Sequence, residues 1–250
     1  ISFDSKIFVR NFLPTLTNRY WFVSCYVIMY ALSPFINKAL NACKMSEHAI
    51  LIAILLFIHC ILTYFKYSYL SNANWFIALY IVAAFVKRYK IKLLDNRFLN
   101  LAVFVVSYAL IAVHVIVYDY RRAYYLTSLL CFIASLSLFN VFRLIKKPFS
   151  SKLINCISAS TLGVYLIHDN NYIRGFLWRE LLNCPQTIKH DWFPLFAVIA
   201  VLAVFIVCAL IDILRRYLIE RPVFFLCKKG YLSIKNKRDR RSNLTNRDAA

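Results

Sequence analysis

Glycine is scarce in this chain, with 3 among 250 residues, and acid is scarcer than base, with 11 Asp and Glu against 31 Lys and Arg. Apolar residues fill 61% of the positions and the mean hydropathy is +0.60. That composition sits well outside the range of soluble domains and favours a membrane protein. The 8 cysteines form no Cys-x-x-Cys pair and take no metal-ligand spacing with the 5 histidines. This argues against a disulfide framework or a zinc site, so no metal ligand is assigned. Most of the cysteines lie within apolar runs, where a thiol behaves as a small hydrophobe. Internal repeats and coiled-coil heptads are missing too, as is a charged segment leading into a short apolar stretch with a small-residue cleavage site.

Present instead are apolar runs at 21–40, 48–66, 74–88, 97–118, 123–143, 153–169 and 192–214. About 20 apolar residues cross the hydrocarbon layer as a helix. The fold class is therefore all-α, a polytopic membrane helix bundle of about seven spans. The third and sixth runs are short and need neighbours or interfacial residues to complete them.

The net charge of +20 does not point to nucleic acid, because the basic residues cluster between apolar runs. One set of connections, with the C-terminal segment, holds 22 of the 31 Lys and Arg; the opposite set holds Lys6, Arg10, Arg19, Lys66, Arg121, Arg122, Arg174, Arg179 and Lys189. The positive-inside rule then puts the C-terminus in the cytoplasm and residue 1 outside. An outside start without a signal peptide is natural where an odd number of spans precedes it. The expectation is thus a bundle lacking its N-terminal spans, with 1–225 as the membrane domain. Residues 226–250 are expected to be a disordered basic cytoplasmic tail that anionic headgroups attract. The connection at 170–191 contains NYIRGFLWREL, which suits a short helix in the outer interface, ended by Pro185.

The run 160–170, STLGVYLIHDN, ends in His168 and Asp169, which are adjacent and so face different ways. A structural role at a helix end and contact with a substrate both stay open for His168. His59 and His114 are expected to be neutral and hydrogen-bonded near outer span ends. Asp212 precedes Arg215 and Arg216 by three and four positions, which predicts a helix-face ion pair, and Glu220 is expected to partner a basic residue. Pro222 should stop the helix. In 18–37, NRYWFVSCYVIMYALSPFIN, Tyr20 and Trp21 read as an interfacial anchor or as a wall of a sugar-binding cleft, and Pro34 as a kink.

Four stretches in order, YWFVSCYVIMYALSPFIN, NWFIALYIVAAFVKRY (74–89), STLGVYLIHDN and RRYLIERP (215–222), resemble the C-terminal part of the bacterial acyltransferase 3 family. The resemblance runs to about residue 225. It implies a fold of about ten helices in the inner membrane and transfer of an acyl group, usually acetyl from acetyl-CoA, to a sugar hydroxyl of a cell-surface polysaccharide such as O-antigen. Acetyl-CoA would be the donor, with no cofactor resident. The partners implied are acyl-CoA, a polysaccharide or lipid-linked sugar acceptor, and membrane lipids. The family's histidine, separated by ten residues from a basic one in its first span, has no counterpart here. Arg179 and His190 share that spacing by chance, with Pro185 between them. No catalytic residue is therefore assigned, and the 250 residues alone are expected to be inactive. Substrate contact is assigned to His168, Tyr20, Trp21, Trp75, Arg174 and Trp178. A polysaccharide polymerase or flippase is the alternative, disfavoured by the single outer connection of about 22 residues and the few mid-span charges. A remnant of a disrupted gene is the third reading.

Overall fold

The computed structural model describes residues 17, 19–62, 72–89, 91–118, 125–145, 150–229 and 231. Among them there is no strand. The chain divides into two compact units, residues 1–149 and 150–250. The first holds α1 (Trp21–Ala42), α2 (Met45–Leu56, continued by a π-turn at Phe57–Ile61), α3 (Asn72–Arg88), α4 (Arg97–Tyr118) and α5 (Leu129–Arg143). The second holds α6 (Lys152–His168), α7 (Asn171–Gly175, continued by a π-turn at Phe176–Leu181), α8 (Cys184–Thr187) and α9 (Phe193–Arg215). Where described, the apolar runs of the sequence are helical except at 125–128, a turn before α5, and at the run ends Asp169 and Trp192; positions 63–66 and 123–124, and the tail from 232, lie outside the described residues.

Three helical stretches are long and apolar enough to cross a membrane: Trp21–Ala42, Arg97–Tyr118 and Phe193–Lys229. The distribution of polarity supports a lipid solvent. In the most apolar window of Arg97–Tyr118 only 6% of residues are buried, whereas four of the five largest fully buried side chains, His48, Asn140, Asp212 and Ser160, are polar. Water would penalise such an apolar exterior. Hydrocarbon tolerates it, and there the buried hydrogen bonds and close packing hold helices together.

In the first unit α3 packs against both α1 and α2. Its Arg88 reaches back to the C-terminal end of α1 and donates to the carbonyls of Leu40 and Asn41, the latter at 3.4 Å. A cation there satisfies orphan carbonyls and complements the helix dipole. Tyr80 adds a bond to Asn37 at 3.0 Å. Pro34 does not end α1. The carbonyl four residues earlier, deprived of its amide donor, is that of Tyr30, and the Ser33 hydroxyl donates to it at 2.7 Å. The core of this unit is Cys60, Trp75, Ala78, Val82, Val86 and Phe132. The α4–α5 pair is closed at one end by Arg143, which binds Asn140 (2.9 Å), the Leu94 carbonyl (3.2 Å) and Asp95 (2.8 Å).

In the second unit α6 lies along α9, with Val164, Cys208 and Ala209 buried between them. The Ser151 hydroxyl caps α6, accepting from the Ile154 amide. Two boundaries differ from the sequence expectation. Asn183, with φ of 44°, precedes α8, and Pro185 falls in the first turn of that helix. A left-handed residue after a helix and a proline at the next helix start are the usual assignments, so Pro185 opens a helix instead of ending one. Pro222 likewise does not stop its helix, which runs from Phe193 to Lys229 through a π-turn at Arg216–Glu220. That turn already departs from the i→i−4 ladder just before the ring, which lowers the cost of the missing donor.

Candidate functional site

The polar groups of the second unit form two levels along one face of α6, on which Ser160, Val164 and His168 recur every four residues. At the lower level Asp212, 2% exposed, is gripped by two guanidiniums. Arg215 pairs with one carboxylate oxygen at 3.0 Å and Arg216 with the other at 3.0 Å. Arg216 also donates across to α6, to the Ser160 hydroxyl and to the Cys156 carbonyl at 3.4 Å. Arg215 extends the chain to Glu220 at 3.1 Å. Gly163 makes this approach possible, because a Cβ built on it would overlap the Asp212 carboxylate. Ion-paired to both guanidiniums and hydrogen-bonded to Arg215 through Oδ1, Asp212 acts as a clamp between helices.

At the upper level His168 closes the last turn of α6. Its Nδ1 lies 2.7 Å from the Val164 carbonyl, and a carbonyl can only accept, so Nδ1 carries the proton. Neutral His168 therefore presents Nε2 as the basic nitrogen. Tyr165 stands edge-on to the ring at 6.2 Å. Asp169 turns away from the imidazole and pairs with Arg174 at 3.3 Å. Arg174 sits on α7 and half-buried Trp178 on the π-turn that continues it. His168, Arg174 and Trp178 thus follow one another along a short stretch of chain, with Arg174 tied to the residue after His168. Such a stretch can accept a hydroxyl proton at Nε2, offer a guanidinium to oxygen and supply an aromatic face. Arg179 and His190 fall on separate elements, the π-turn and the turn after α8, so no helix carries both.

The first unit treats the other assigned residues unequally. Tyr20 precedes α1, and its carbonyl accepts from the Ser24 amide at 3.0 Å. Half-buried Trp21 meets Phe22 and Phe76 edge-on at 6.0 and 6.3 Å. Trp75 is different. It is 1% exposed, with Phe132 at 6.0 Å and His59 at 5.2 Å, and it has no free face for a sugar. Its assignment to substrate is corrected to core packing, for a physical reason: on α3 it faces the α2 and α5 side chains. His59 also departs from expectation, since its buried Nε2 has no hydrogen-bond partner among the described residues. His114 does hold one, with Nδ1 at 2.8 Å from the Leu110 carbonyl.

Three residues that matter were not singled out from sequence. His48 is completely buried and donates from Nε2 to the Ile81 carbonyl at 3.1 Å, with Phe85 and Tyr89 edge-on around it. Ser160 and Gly163 were the others. Their signal was available, since Cys156, Ser160 and Gly163 repeat small residues at four- and three-residue steps, which marks a close helix contact in membranes.

Among the described residues no group of three or more His, Cys, Asp or Glu could hold a metal ion, and all eight cysteines are free thiols. Neither the curated proteins nor the solved structures yielded a match. A family model described as an acyltransferase domain does match, over residues 2–213. That span takes in α1 to α8 and nearly all of α9, and with it the aromatic start, the His168 turn and Asp212, though not its partners Arg215 and Arg216. The chain belongs to the acyltransferase 3 family of membrane acyltransferases.

Proposed function

We propose that this protein takes part in O-acylation of a cell-surface polysaccharide, moving an acyl group, in the first instance acetyl from acetyl-CoA, to a sugar hydroxyl. The family match over 2–213 carries the reading. In it, the acceptor sugar lies near the His168 end of α6, against Arg174 and Trp178; Tyr20 and Trp21 of the first unit stand as separate candidates for substrate contact. His168 Nε2 accepts a hydrogen bond from a sugar hydroxyl, Arg174 faces ring or acyl oxygens, and Trp178 stacks on an apolar sugar face. The attacking hydroxyl loses its proton to a general base as its oxygen bonds to the acyl carbon, and CoA leaves as the thiol. No residue of this chain is assigned as that base. The distribution of basic residues supports a topology with the His168 end outside and the C-terminus in the cytoplasm, and the family supports the bacterial inner membrane as its place.

The test is transfer of radiolabelled acetyl from acetyl-CoA to polysaccharide in membrane vesicles from cells carrying the gene or lacking it. Gene-dependent, base-labile label in the polysaccharide is the expected result. An unlabelled product with altered chain length or export would instead favour the polymerase or flippase reading.

A further inference from the structure

The helix that begins at Phe193 is longer than a bilayer requires. It runs for 37 residues to Lys229, roughly 55 Å at about 1.5 Å per residue. Its first part, Phe193–Arg215, has 23 residues and already exceeds the hydrocarbon thickness of about 30 Å. Beyond it lie Arg216, Glu220 and Arg221, which break the apolar run. Yet the following stretch is not polar. Leu218, Ile219, Val223, Phe225 and Leu226 are each more than half exposed.

The helical period sorts these side chains in part. At about 100° per residue, Leu218, Ile219, Pro222, Val223, Phe225 and Leu226 share one arc with Lys229 at the helix end, while Arg216, Glu220, Arg221 and Lys228 lie on the other, together with the exposed rings of Tyr217 and Phe224 and with Cys227 at the border. A straight projection into water would leave the apolar arc wet on every turn. The π-turn at Arg216–Glu220 and the ring of Pro222 weaken the ladder where a change of direction is needed. Charge selects the partner. With Arg216 held by Asp212 and Ser160 and Glu220 held by Arg215, the charge left to this stretch is that of Arg221, Lys228 and Lys229, and Lys235, Lys237, Arg238, Arg240 and Arg241 follow in the sequence.

We infer that residues 216–229 form an amphipathic helix lying on the membrane, its Leu218–Val223–Leu226 face in the acyl boundary and its basic face among anionic lipid headgroups. The acyl-transfer reading is not needed for this; it requires only that α9 crosses the bilayer. The segment would anchor the end of α9 and hold the Asp212–Arg215–Arg216 clamp at the depth of the interface.

The experiment places a nitroxide at Val223→Cys or at Lys228→Cys, which lie about 140° apart on the helix, with the native cysteines replaced by alanine, in the full chain in nanodiscs with or without anionic lipid. Collision with lipid-soluble oxygen and with a water-soluble nickel chelate is then compared. In anionic discs position 223 should favour oxygen and position 228 nickel. The triple change Arg221→Glu, Lys228→Glu, Lys229→Glu, or high salt, should shift position 223 toward nickel. High nickel access at both positions in anionic discs would overturn the inference, since the helix would then project into water. Low access to both reagents at position 223 would overturn it too, by showing cover from protein. Should the cysteine-depleted chain fail to fold, benzoylphenylalanine at Leu226 of the otherwise unaltered chain must give lipid adducts on irradiation; protein adducts alone would reject the proposal.

Discussion

Gly163→Ala is the substitution whose sign decides whether the clamp in the second unit has been understood. On propensity alone, alanine in a helix interior is favoured over glycine by about 1 kcal/mol. The structure reverses that expectation, because the added Cβ would occupy the space of the Asp212 carboxylate. Either α6 and α9 separate, losing the contacts of Val164, Cys208 and Ala209, or Asp212 swings out and releases Arg215 and Arg216. Overpacking of this kind costs about 1–3 kcal/mol. Breaking a fully buried ion pair costs about 3–5 kcal/mol, but these arginines are 49% and 26% exposed, so that figure is an upper bound. A net loss of about 2 kcal/mol, roughly thirtyfold in the unfolding constant, follows. The assay is equilibrium unfolding in mixed micelles, run as a double-mutant cycle with Asp212→Ala. With the carboxylate gone, Gly163→Ala should be neutral or stabilising by up to about 1 kcal/mol, giving a coupling of about 2–3 kcal/mol. Stabilisation by Gly163→Ala in the unaltered chain, or the same loss in both backgrounds, would refute the close approach.

Arg88→Ala should uncap α1 and lower stability by about 1–2 kcal/mol, and Arg88→Lys should restore part of it; thermal unfolding in detergent measures both. Trp75→Phe keeps an aromatic core and discards an indole N–H that has no partner, so it should cost less than about 1.5 kcal/mol, whereas Trp75→Ala should cost about 3–5 kcal/mol. Little effect of either on acceptor KM would fit the core placement, and a selective rise in KM with Trp75→Phe would contradict it. His168→Gln should leave the melting temperature within a few degrees and reduce acyl transfer by about tenfold to a hundredfold, expressed in acceptor KM. An equal fall in kcat with KM unchanged would move His168 from acceptor contact to the chemical step.

The helices were legible because apolar runs of membrane length have few alternatives, and the Asp212 ion pairs were legible because positions three and four apart on a helix must meet. What the sequence hid was context. Nothing in NWFIALY says which face of α3 turns to α2 and α5, so Trp75 reads as a substrate contact although it is buried. His48 and His59 sit eleven positions apart on the same face of α2, yet one meets the Ile81 carbonyl and the other meets only the Trp75 ring. Pro222 and Pro185 show the limit of local rules: each has the expected effect on its own hydrogen bond, but neighbouring backbone decides whether a helix ends there. The His168 turn was half readable, since a histidine at a helix end is visible in sequence, but the carbonyl that fixes its tautomer is not.

The most direct test of the central claim, membrane acyl transfer to a polysaccharide with His168 at the acceptor, is proton NMR of surface polysaccharide from cells with the gene intact, deleted or carrying His168→Ala. Loss of O-acyl signals on deletion, their return with the intact gene and their marked reduction with His168→Ala are predicted. O-acyl signals that stay unchanged when the gene is deleted would contradict the account.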